Sequence, residues 1–300
     1  MPISTKLFNE QAVARFNKLT GDIQNTQGRI ATGKNILRAS DDPVAAANIS
    51  FTREQKVMLD RFNTNIDRAR ARLSLTENVM DESLNLITRA YELGIQAKND
   101  SLSDVDRRAI SFEIGQIRES MMSLANSKDV NGNYLFAGYR SNTQPFVRNQ
   151  EGDVEFLGDR GVHSVQISES LRANTGLDGA GVFMRVDTGE AAKPFFEILT
   201  SMERELQGGT LNNDIIADLN ASIDHFAINQ TRVGAELNKL DNQKVLLERR
   251  ILLMDENLSG LEDADLANLV SKLQSMIVSR DAAQQSFVQI GQQSLFDYIR

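Results

Sequence analysis

The chain has 300 residues, with no cysteine, no tryptophan and a net charge of −8. That excludes disulfides, thiolate chemistry and Cys-ligated zinc, and it argues against general nucleic-acid binding. Apolar residues make up 41% and charged residues 25%, the balance of a folded chain rather than a disordered tail.

No run of about 18 uncharged apolar residues offers a membrane span. The polar opening, Met1 to Gln11, lacks the apolar region of a cleaved secretory signal. This fits a cytoplasmic protein, or one exported by a route that leaves the chain uncut.

Ala12, Phe16, Leu19, Ile23, Thr26 and Ile30 fall three or four apart, which predicts a first amphipathic helix. Its segment, residues 1–40, holds six basic side chains against two acidic ones. The phase breaks at Ser40-Asp41-Asp42-Pro43. Asp42 is suited to cap a new helix, and Pro43 to stand at its first position, where no amide bond is lost. That helix is predicted to run to about Lys98. Leu59, Phe62, Ile66, Ala69, Leu73, Thr76, Met80, Ser83, Ile87, Ala90, Gly94 and Ala97 form its ladder.

Ser103 and Asp106 have capping-box spacing, and Ile110, Ile114, Ile117, Met121 and Leu124 give a further seam. Asn131-Gly132-Asn133 marks a turn. Tyr134-Leu135-Phe136 reads as a short strand closed by Gly138. Over 141–193 the period changes to two, at Val154–Leu157, Val162–Ile167 and Val182–Val186. This predicts a small inserted β-rich domain with a thin core of its own.

A short helix from Phe195 to Leu206 follows, closed by Gly208-Gly209, and Asn212-Asn213-Asp214 caps the last long ladder. That ladder is Ile216, Leu219, Ile223, Phe226, Gln230, Val233, Leu237, Leu240, Lys244, Leu247, Ile251, Met254, Leu258 and Leu261, with only Gln230 and Lys244 not apolar. Such a heptad seam needs a long partner helix. Its phase ends near Gly260. Leu266, Leu269, Leu273, Met276, Ala283, Phe287 and Ile290 carry a new one.

The expected fold is mainly α: a long antiparallel helical rod, coiled-coil-like, with both termini together and the β-rich insert at the far end. Residues 1–42 and 263–300 would form an assembly domain of terminal helices. Residues 43–140 and 194–262 would form the rod, and 141–193 the surface domain. Two short seams make a pair that is marginal alone, so the ends are expected to order fully on assembly. The expected interface residues are Phe16, Leu19, Ile23 and Ile30 with Leu266, Leu269, Leu273, Met276, Phe287 and Ile290.

Catalytic chemistry is poorly supplied. The two histidines, His163 and His225, lie in different blocks, and no nucleophile, phosphate-loop or metalloprotease motif occurs. The acidic groups Asp255-Glu256 and Glu262-Asp263-Asp265 read as a solvated helix face and a helix cap rather than a cation site. No enzyme, cofactor or metal is expected.

At Ala31-Thr32-Gly33-Lys34-Asn35-Ile36-Leu37-Arg38-Ala39-Ser40-Asp41-Asp42-Pro43-Val44 the chain resembles the flagellin superfamily. The stretch Leu266 to Arg300 is similar to that family's terminal helix. Ala31-Thr32 departs mildly from the Ser usual there. Asp42-Pro43-Val44, Asn131–Gly138 and the ending Ser294–Ile299 are most like the branch at the hook–filament junction.

The resemblance covers roughly 1–140 and 210–300, while 141–193 matches no motif. It implies a structural adaptor in the extracellular bacterial flagellum, exported uncleaved. The implied partners are its own copies in a ring, the other hook-associated junction protein, flagellin, and an export chaperone at the C-terminal helix. The alternatives are a short filament flagellin or an intracellular coiled-coil scaffold. Terminal helices out of phase with the rod argue against the scaffold.

Overall fold

The computed structural model describes residues 2–99, 102–189, 191–209 and 211–296, with side chains described at 7 and between 10 and 289 within those ranges. Seven helices and three strand pairs are described: α1 Pro2–Thr32, α2 Pro43–Ala97, α3 Asp104–Ala125, α4 Gly179–Phe183, α5 Phe195–Gly208, α6 Asn213–Glu262 and α7 Leu266–Phe296. The strands are β1 Phe146–Arg148, β2 Val154–Phe156, β3 Ser164–Gln166, β4 Arg172–Asn174, β5 Val186–Asp187 and β6 Ala192–Lys193. Consecutive strands pair antiparallel, β1 with β2, β3 with β4 and β5 with β6. By internal packing the chain divides into two units, residues 1–58 with 250–300, and residues 59–249.

Local chemistry sets the helix starts. The Asp42 carboxylate accepts from the amides of Val44 and Ala45 at 3.1 and 3.0 Å, and α2 begins at Pro43. Ser103 and Asp106 close a reciprocal capping box on α3.

In the unit of 59–249, all twelve ladder positions of α2 from Leu59 to Ala97 are buried. Helix α6 lies beside α2 and runs the other way, and the later ladder members also share a core with α3 and α5. The two polar members of the α6 ladder explain themselves here. Lys244 Nζ donates to Asp67 at 2.6 Å, and Gln230 Nε2 donates to Asp81 at 3.4 Å. Each pair of partners is two heptads apart on its own helix. Arg70 and Asp241 form a further cross-helix pair at 3.1 Å. The Asp67 carboxylate holds the Lys244 ammonium above its ordinary pKa. Polar groups placed in this way set the register of an otherwise uniform apolar seam.

Three expectations are corrected. Tyr134-Leu135-Phe136 is not a strand: Tyr134 makes one isolated bridge to Lys128, and Leu135, Phe136 and Ala137 are buried beneath it. Val182–Met184 is not a strand either, since α4 ends at Phe183 and only Val186–Asp187 pairs. The insert has no thin core of its own. Phe146, Val182, Phe183 and Val186 are buried in one core with Phe136 and with Ile114, Ile117, Met121, Phe195, Phe196 and Phe226 of the helices. Phe183 meets the rings of Phe136, Phe146 and Phe226 at 5.2, 5.1 and 5.4 Å. A segment with few apolar residues finds its burial by joining a larger core.

Gly138 follows the Asn131–Ala137 run because its φ is +67° and a Cβ there would stand 2.2 Å from the Asp159 carbonyl. The β3–β4 ribbon lies beside α2 and α6, tied by Asn65 Nδ2 to the Gln166 carbonyl at 2.9 Å and by Lys239 Nζ to the Arg172 carbonyl at 2.8 Å.

Candidate assembly site

The unit of residues 1–58 and 250–300 is built on α1 and α7, which run antiparallel. The predicted α1 seam is its inner face. Ala12, Phe16, Leu19 and Ile30 are half-buried, while Ile23 and Thr26 are buried. On α7, Leu269, Leu273, Met276 and Phe287 are half-buried. Phe16 and Phe287 meet edge to face at 6.2 Å. Of the expected interface residues, these eight face inward along the pair, and Leu266 stays 48% exposed. The side chain of Ile290 lies outside the described residues.

The pair is sparse. Among the described side chains of α1 and α7, Ile23 is the one large apolar group that is fully buried. Burial of such a group stabilises by about 1.5–3 kcal/mol, whereas ordering each residue costs roughly 1–2 kcal/mol. Apolar surface is left over: Leu7, Val13, Val278 and Val288 are more than half exposed.

A clasp closes one end. Gly33 accepts from the Ala264 amide at 2.9 Å, and the Asn35 amide donates to the Glu262 carbonyl at 2.6 Å. The loop after α1 is thus tied to the loop before α7. The Glu262 carboxylate, 12% exposed, pairs with Lys34 at 3.1 Å and Arg53 at 2.6 Å. Burial by itself would raise its pKa, but the bonds to Arg53 and Lys34 outweigh this and hold it below the ordinary carboxylate value.

Three further acids near this end are also engaged. Asp255 pairs with Lys56, Asp263 bonds Ser259, and Asp265 caps α7 through the Asn268 amide at 3.1 Å. The α6–α7 break falls at Asp263–Asp265 rather than at Gly260, which lies within α6. Sequence reasoning missed Arg53 and grouped Glu262 with the acids of a solvated helix face and a helix cap. Lys34, inside the resemblance motif, was the available signal.

The histidines sit in the other unit. The His225 ring N–H donates to carbonyls of α4 at Gly181 and Val182, 3.1 and 3.2 Å away. His163 lies against the Tyr139 ring, with centroids 4.9 Å apart. No helix among the described residues is long and apolar enough to cross a membrane.

Comparison with known proteins agrees with this arrangement. Residues 3–141 match the bacterial flagellin N-terminal helical region. Flagellar hook-associated protein 3 of Salmonella typhimurium is 25% identical over 320 residues, covering 100% of both chains. A flagellin of Listeria innocua is 20% identical over 276 residues, covering 85% of this chain and 95% of its own. Among solved structures, hook-associated protein 3 from Legionella pneumophila superposes with a TM-score of 0.67 at 19% identity, covering 71% of this chain and 98% of that one. Residues 3–141 are therefore similar to the flagellin N-terminal helical region, and the chain as a whole resembles flagellar hook-associated protein 3.

Proposed function

We propose that this chain is a structural adaptor of the bacterial flagellum that joins the hook, through the other hook-associated junction protein, to the flagellin filament. The observation that carries the mechanism is the thin α1–α7 pair. Among its described side chains it buries one large apolar group and leaves others exposed, so the helices complete their burial against neighbouring subunits. The end-to-end likeness to hook-associated protein 3 supports the assignment to the junction.

In this reading Phe16, Leu19, Ile23 and Ile30 with Leu269, Leu273, Met276 and Phe287 form the spine of each subunit's hairpin. The half-exposed edges of all but Ile23, with Leu266, meet adjacent copies in a ring. Before assembly the same α7 face, with Ile290, is held by an export chaperone, and the chain leaves the cell uncleaved.

The test is Leu273→Asp. The unit of 59–249 keeps its fold, while the strain sheds its filaments and loses motility; a fully motile strain overturns the proposal. A second reading, a short filament flagellin, is favoured by the likeness to the Listeria innocua flagellin. Adding purified protein to filament seeds separates the two, because a junction subunit stops after a limited layer and a flagellin keeps extending.

A further inference from the structure

Two open grooves, of about 560 and 600 Å³, flank the β3–β4 ribbon in the unit of 59–249. Their polar groups are in different states. In the first, the charged groups are already engaged. Lys239 bonds Glu236 and the Arg172 carbonyl, Arg232 bonds Asn229, His225 bonds α4, and Asp178 bonds Arg160 and the Ala180 amide.

In the second groove Asp129 is the one carboxylate on the lining, and both its oxygens are taken. Oδ1 accepts from the amides of Asn131 and Asn133 at 2.8 and 3.0 Å, and Oδ2 accepts from Arg72 at 2.6 Å. Around it, the side chains of Arg68, Asn131, Asn133, Ser141 and His163 have no hydrogen-bond partner among the described residues. Arg72 Nε is buried without one as well.

A groove whose acid is neutralised internally and whose donors are uncommitted selects an anion. Amide and hydroxyl groups outnumber the cations, which suits a polyhydroxylated ligand. The volume lies in the range of small-ligand sites.

We infer that this groove binds an anionic saccharide of about two sugar units, sulfated or carrying a uronate. Arg68 and His163 meet the anionic group, Arg through charge-assisted bonds, and Asn131, Asn133 and Ser141 meet ring hydroxyls. The site is independent of the assembly reading, since none of these residues lies on α1 or α7.

The test is isothermal titration of the full chain with a sulfated disaccharide, a uronate disaccharide, their neutral counterpart and sodium sulfate. The expected result is saturable binding of an anionic disaccharide at or below about 1 mM, at least about tenfold tighter than the neutral sugar or sulfate alone. Arg68→Gln and His163→Gln, each with an unchanged thermal melt, weaken it by about tenfold or more. Glu236→Gln, in the other groove, leaves it unchanged. Absence of saturation by about 10 mM, equal binding of the neutral sugar or of sulfate, or indifference to both substitutions overturns the proposal.

Discussion

Single side chains set the two most specific features of the fold. Glu262 gathers Lys34 and Arg53 at the clasp of the terminal unit. Glu262→Gln is expected to lower the stability of that unit by about 1 kcal/mol, the scale of a partly exposed ion pair, as read by denaturant unfolding. The sign with pH follows from its depressed pKa. The carboxylate's contribution is fully present above the ordinary value of 4.5 and is lost as pH falls through the lower folded value. Wild type should therefore lose its advantage over Glu262→Gln below about pH 4.5, and a gap that persists into stronger acid would contradict the clasp.

Gln230 and Lys244 are the second case. Replacing both with Leu completes the apolar seam and should raise the thermal midpoint, because burial of each side chain is worth up to about 1.5–3 kcal/mol. It also removes the two bonds that fix α2 against α6. The chain has no cysteine, so Arg70→Cys with Asp241→Cys reports the register by disulfide yield. The yield is expected to fall in the double-Leu background; an undiminished yield would mean that packing alone sets the register.

At the scale of elements, the insert depends on the helices. Phe183 on α4 is fully buried among helical rings, so Phe183→Ala should cost about 3–5 kcal/mol. The loss should appear as one cooperative transition shared by the strand pairs and the core of α3 and α5. A separate early transition of the insert would refute the common core. For α1 and α7, amide hydrogen exchange on the dilute monomer should be fast along both helices, while residues 59–97 stay protected. Uniform protection from end to end would remove the basis for folding coupled to assembly.

At the scale of the whole molecule, legibility follows the range of the interaction. The α2 ladder was readable because helical period alone chooses its face, and all twelve positions are buried. On α6, Leu219, Phe226, Val233, Leu240 and Leu247 are fully buried, and the alternate members are half-buried. A second buried stripe, Ile215, Ser222 and Asn229, was not legible, since two of its members are polar. It lies on the part of α6 that meets α4 through His225 and Lys193 through Asp218. Within the insert, three-residue strands are too short for alternation to outweigh a cap such as Asp178, which starts α4 instead.

The order of residues by itself determined the helices other than α4, their starts at Pro43 and Asp104, the apolar faces and the phase breaks beside the terminal helices. Each of these is a local property, decided within a few turns by caps and by the angle between successive side chains. Tertiary structure alone decided that Glu262 meets Lys34 and Arg53, that Gln230 and Lys244 meet aspartates on α2, that the insert shares the helical core, and that uncommitted donors gather in one groove. Those pairings join residues tens to hundreds of positions apart, and only the meeting of distant faces brings them within bonding distance.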